Sequence, residues 1–141
     1  MTKVSTFSEG MIQSLAQVLG ECGSGSDITR ALADRGFVDD SGESTKWKRI
    51  NEIFLKSQRE TKSPNQLLDF IQAFLSPARF VGRNSEFETH RNALNEILIF
   101  AGLEYCKDGN FIFVTPATTL DEAERRVKAI RDRFRGRSMH E

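Results

Sequence analysis

Apolar residues recur at helical spacing in successive stretches up to Gly102, and only around Asp108-Gly109 does the period drop to two. A stripe at i, i+3, i+4 and i+7 has one face to bury, so each such segment needs another helix to lie against. A lone hairpin is marginal in water and has to lean on those helices. The pattern therefore predicts a mainly α (α+β) fold, with about six helices forming one compact bundle-like domain and a single β-hairpin before the C-terminal helix.

The first stripe is Ile12, Leu15, Ala16 and Leu19, over residues 8–20, and "ECGSGS" breaks it. A shorter helix over 26–35 turns Ile28, Ala31 and Leu32 inward, with Gly36 suited to a left-handed cap and Phe37 to the apolar contact that follows one. A third begins near Ser44 or Thr45 and buries Trp47, Ile50 and Phe54. "SPNQ" at 63–66 reads as a capping box from Ser63 to Gln66, with Pro64 at the first helical position and Leu67, Phe70, Ile71 and Phe74 on the buried face. Pro77 ends that helix. Ser85 and Glu88 form another S-x-x-E box, which predicts a helix starting at Phe87 or one residue earlier, with Leu94, Leu98 and Ala101 along its stripe. "LEYCKDGNFIFV" supplies the hairpin. Thr119 and Glu122 then cap a final helix with Leu120, Ala123, Val127, Ile130 and Phe134 as its seam, and Gly136 is expected to end it.

A chain of 141 residues fits one domain with a real core. Its two cysteines, Cys22 and Cys106, are far apart and have no ligand-spaced partner, so no disulfide framework and no metal site is expected. The longest apolar run, "ILIFA", is too short to cross a membrane, and "MTKVSTFSEG" lacks the apolar region of a signal peptide. The expectation is a cytoplasmic chain without cofactor. Twenty bases balance twenty acids, which argues against a histone-like polyanion binder. The balance hides a division: residues 1–44 carry −4, 45–62 carry +4, 63–124 carry −5 and 125–141 carry +5.

The two basic blocks define the leading candidate surface: Lys46, Lys48, Arg49 and Lys56 with Arg125, Arg126, Arg131, Arg133 and Arg135. Such a surface can bind phosphate if the fold joins the blocks. The second and third helices also allow a helix-turn-helix, although their connection "FVDDSGES" is long and acidic, and Glu52 sits four residues from both Lys48 and Lys56, well placed for ordinary ion pairs. In the last helix, acids precede bases, an order that the helix macrodipole favours without any ligand.

Arg83 and His90, with six residues between them, have the spacing by which some nucleotide-binding-type ribonucleases bring a cation and an imidazole to one phosphate; a packed histidine explains His90 as well. Arg135 and His140 repeat the idea at the end of the chain, where holding such geometry is harder. No P-loop, G-x-S-x-G or HExxH motif occurs, so no catalytic residue is assigned.

"GSDITRAL", "TKWKRINE", "LLDFIQAFLSPARF", "FETHRNALNEILIFAGLEYCKDG" and "ATTLDEAERRVKAIRDRFRGRSMH" together resemble the N-terminal region of bacterial Ymh-type proteins, over most of residues 10–140. They are also similar to the N-terminal domains of abortive-infection proteins. The resemblance implies a sensing, adaptor or regulatory module in a bacterial phage-defence type of protein, and it carries over no catalytic residue. It places residues 1–137 in one domain and 138–141 at the start of a linker to a second, effector domain. The expected function is a non-catalytic interaction module whose partner is another protein or that effector domain. A DNA- or RNA-binding helix-turn-helix-like domain and a small ribonuclease using Arg83 and His90 are the alternatives.

Overall fold

A computed structural model describes residues 5–140, with side chains described as far as Arg131. Among the described residues there are six α-helices: α1 (Glu9–Gly20), α2 (Gly25–Asp34), α3 (Lys46–Thr61), α4 (Asn65–Phe74), α5 (Asn84–Leu98) and α6 (Leu120–His140). A two-stranded antiparallel hairpin, β1 (Leu103–Tyr105) and β2 (Phe111–Phe113), separates the last two. Short 3-10 turns over Pro77–Phe80 and Ile99–Ala101 bracket α5. The architecture is the expected one, helices around a core with the hairpin laid on α5.

The packing order explains how these stripes are spent. α1 packs on α3 along its buried face and on α5 beside it, α4 joins α2 to α3, and α6 packs on α5. Phe37, Phe54, Phe70 and Phe74 form a chain of ring contacts with centroids 5.2–6.2 Å apart. Offset and edge-on aromatic pairs of this kind add to simple area burial. Phe37 enters the cluster because α2 ends as its sequence predicts. Gly36 takes φ +80°, its N–H donates to Ala33 O (3.1 Å), and the Phe37 N–H reaches back to Leu32 O (2.9 Å).

Several local expectations are overturned, each by a competing partner. Gln66 accepts a hydrogen bond from Ser57 Oγ instead of closing a capping box, and Pro64, not Ser63, stands at the cap of α4. α5 starts at Asn84, earlier than the S-x-x-E box implies, because Glu88 turns to Arg91 (2.9 Å) and Ser85 lies inside the first turn. Trp47 is half-buried, covering Gly20 where α1 and α3 approach closely, while Ile53 takes the core position beside Ile50 and Phe54. α6 continues past Gly136 to His140, and its first seam residue, Leu120, is exposed; Ala123, Val127 and Ile130 are buried as expected. The Phe134 side chain lies outside the described residues. At Thr119 the cap half-forms: Thr119 Oγ1 accepts from the Glu122 N–H (3.1 Å), but the Glu122 carboxylate accepts from Thr118 rather than Thr119.

The hairpin turns through Lys107-Asp108 with Gly109 at φ +89°, a type of three-residue loop in which the left-handed position favours glycine. Its attachment to α5 is polar. The Asn95 side chain accepts from the Tyr105 N–H (2.7 Å) and donates to Tyr105 O (3.1 Å), so a single amide pairs with β1 as a neighbouring strand would. Arg91, fully buried, adds a bond to Tyr105 O (3.2 Å), and the Tyr105 hydroxyl donates to Leu75 O (2.7 Å). Asn95→Ala strands the buried Tyr105 N–H, which costs about 1–3 kcal/mol. The expected outcome is a loss of that size in urea unfolding together with faster amide exchange at Tyr105; exchange at wild-type rates would show that Asn95 is not the lock.

Candidate functional site

α1 and α5 lie side by side, and their outward faces leave an open groove of about 600 Å³. The spacing that buries Leu15 and Leu19 on one face of α1 turns Ser14, Gln17 and Val18 outward. On α5 the same logic leaves Thr89, Ala93, Glu96 and Ile97 facing them. Short side chains at Ser14 and Ala93 make the depression, Val18, Ala93 and Ile97 give it an apolar floor, and Glu21 and Glu96 give it an acidic rim. His90 forms one wall. Its Nε2 is buried without a hydrogen bond, 3.8 Å from Glu86 Oε1, and its ring lies 6.0 Å from that of Phe80.

Arg83 and His90 therefore share a neighbour. Arg83 Nη1 sits 3.3 Å from both Glu86 oxygens, its guanidinium covers the Phe80 ring at 4.9 Å, and it donates to Arg79 O. A phosphate brought to this pair would meet the Glu86 carboxylate placed between the guanidinium and the imidazole. His140 and Arg135, the second such pair, lie outside the described side chains.

The first basic block is largely absorbed by the fold. Arg49, only 11% exposed, donates to Asp39 (2.8 and 3.0 Å), to Thr29 Oγ1 (2.8 Å) and to Gly25 O (3.4 Å). Lys46 donates to Gly23 O (3.2 Å), and Lys56 pairs with Asp40 (2.5 Å) and Glu60 (3.9 Å) rather than with Glu52. Lys48 stands 5.9 Å from the Trp47 ring. The loop that seemed too acidic for a helix-turn-helix is thus the counter-charge for α3.

In the second block Arg126 pairs with Glu122 (3.4 Å), Arg125 is exposed and Arg131 is half-buried. Arg133 and Arg135 lie outside the described side chains. α3 packs on α1 and α4 whereas α6 packs on α5, so α1 and α5 stand between the two basic helices in the packing order.

Neither thiol is set up as a nucleophile. Burial pushes Cys22 up to about 12, and burial with the nearby Glu104 carboxylate pushes Cys106 up to about 11. Among the described residues, no cluster of His, Cys, Asp or Glu has the makings of a metal site, and no helix is long and apolar enough to cross a membrane. No protein-family model matches the chain, and no curated protein or solved structure matches it.

The groove was not foreseen in the sequence because its residues are individually bland. Arg91 and Asn95 were also missed, yet a signal existed. They continue the spacing of Phe87, Leu94 and Leu98, which places an arginine and an asparagine on a buried stripe and calls for partners.

Two outcomes are expected. Burial alone would raise the Asp39 carboxyl, but hydrogen bonds from Arg49 and Ser41 outweigh it and hold the group below its ordinary 3.8. The Asp39–Arg49 clasp thus contributes stability above about pH 4 and loses it as pH falls through the lowered value. Arg49→Met should cost about 1–2 kcal/mol at pH 7, and the difference from wild type should shrink toward pH 3 in thermal melts; a constant difference would show that the clasp carries no such linkage. Separately, Ellman's reagent at pH 8 should modify the native protein slowly and titrate both thiols at once in denaturant, whereas rapid native labelling would contradict the raised values.

Proposed function

We propose that the chain is a non-catalytic interaction module whose working surface is the α1/α5 groove. The observation that carries this reading is the groove itself: an apolar floor of Val18, Ala93 and Ile97 between two acidic rims, on the face where both helices lack an exposed lysine or arginine. Helix-in-groove recognition needs a depression with apolar anchors and a polar edge, and this depression has those parts. An amphipathic helix with basic flanks complements it, its apolar side chains on the floor and its cations at Glu21 and Glu96.

The occupation of Lys46, Arg49 and Lys56 by internal partners further favours protein recognition over polyanion binding by α3. The resemblance to N-terminal regions of Ymh-type and abortive-infection proteins supports the same role. On that reading the module senses or couples, in the bacterial cytoplasm, on behalf of an effector domain or a separate protein.

The test is a photo-crosslinking amino acid placed at Thr89, exposed at the groove's edge. Discrete protein adducts should form in cells and should vanish when Ala93→Lys fills the floor in the same chain. Parallel anisotropy with labelled duplex DNA and single-stranded RNA should show no binding at physiological salt, and a denaturing gel should show intact strands. Salt-sensitive nucleic-acid binding lost with Lys48→Ala would transfer the function to α3. Cleavage abolished by His90→Ala would transfer it to Arg83 and His90.

A further inference from the structure

The two edges of the hairpin are treated differently. In the ladder Leu103 pairs with Phe113, Glu104 with Ile112 and Tyr105 with Phe111. The bonds Cys106 N–H to Asn110 O (2.8 Å) and Val114 N–H to Gly102 O (2.9 Å) fix which residues face inward. Hydrogen-bonded pairs alternate in an antiparallel ladder, so Glu104 and Ile112 bond to each other while Leu103, Tyr105, Phe111 and Phe113 turn their N–H and C=O groups to the outside. On β1 the outward groups of Tyr105 are taken by Asn95 and Arg91. On β2 the outward groups of Phe111 and Phe113 have no hydrogen-bond partner among the described residues.

This bare edge is also apolar and uncharged. Phe113 is 57% exposed and Ile112 44% exposed, and with Leu120 they make three of the five large apolar side chains left exposed among described residues. From Gly109 to Leu120 the chain carries no charge, so none of the lysines or glutamates that usually guard a sheet edge is present.

We infer that β2 is a dimerisation edge, at which two copies of the chain pair antiparallel about a twofold axis through Ile112. The occupant follows from the sequence of the edge. Phe111-Ile112-Phe113 reads the same in both directions, and a twofold contact requires a patch complementary to itself. Centring the pairing on Ile112 sets Phe111 of one copy opposite Phe113 of the other. The two outward-facing residues then exchange both backbone bonds, and the twofold doubles them into a four-stranded sheet. Directly opposed residues share a face, so the exposed Phe113 ring gains the second copy's Phe111 as a neighbour and each Ile112 meets its own counterpart. No like charges oppose each other anywhere along the edge. The contact is small and depends on concentration, and it is independent of the α1/α5 groove.

The test combines hydrodynamics with amide exchange on the intact chain. Sedimentation should show a monomer–dimer equilibrium moving to dimer on concentration up to about 1 mM. Across that range, exchange at Phe111 and Phe113 should slow in step with the dimer fraction, while Ile112, bonded within the hairpin, should stay protected throughout. Ile112→Lys opposes like charges at the axis, and Phe113→Pro removes an outward N–H together with the exposed ring. Each should abolish the dimer while leaving the helical circular dichroism unchanged. A monomer at every concentration, a dimer whose Phe111 and Phe113 amides still exchange freely, or a dimer that survives Ile112→Lys would each overturn the inference.

Discussion

One side chain pairs with the hairpin as a neighbouring strand would. The Asn95 amide supplies a donor and an acceptor at strand spacing, so the outward groups of Tyr105 on β1 are satisfied although no strand among the described residues lies on that side. Without that substitute the Tyr105 backbone would sit in the core with unmet polar groups, a cost that a three-residue ladder cannot absorb. Arg91 and Glu88 extend the same device, a charged pair beside the strand with the arginine fully enclosed. Polar groups buried this deeply are tolerated because each is answered, and together they fix the register of the hairpin against α5.

The coarse fold was legible because it depends on period. Stripes such as Leu67, Phe70, Ile71 and Phe74 admit one face and one kind of element, and all four residues are buried. Gly36 and Phe37 were legible too, since a left-handed residue followed by an apolar one has few other uses. What the sequence concealed were contests between near and distant partners. A full capping box at α4 needs Gln66 to reach back to Ser63, and Gln66 found Ser57; the box at α5 needs Glu88, and Glu88 found Arg91. Capping propensities state what a residue can do locally, and tertiary partners settle whether it does.

The internal pairing of Arg49 and Lys56, two residues of the candidate basic surface, was hidden in the sequence for a related reason. A tally of charge by segment counts Arg49 and Lys56 as available, whereas the fold sets them against Asp39 and Asp40 from the preceding loop. The −4 and +4 blocks of the sequence are thus partly one electrostatic unit, folded back on itself. The groove between α1 and α5 escaped notice for the opposite reason: serine, alanine and threonine carry no signature, and a depression is made by what is small.

The attachment of β1 through Asn95, Arg91 and the Leu75 carbonyl also sets an order of assembly. The outward groups of Tyr105 have no partner until α5 is in place, and its hydroxyl has none until α4 has presented its last turn. Closing that 30-residue separation costs chain entropy before the bond to Leu75 returns anything. The bonds from Arg91 and Asn95 to Tyr105 span only 14 and 10 residues, so they require less chain ordering than the bond to Leu75 does.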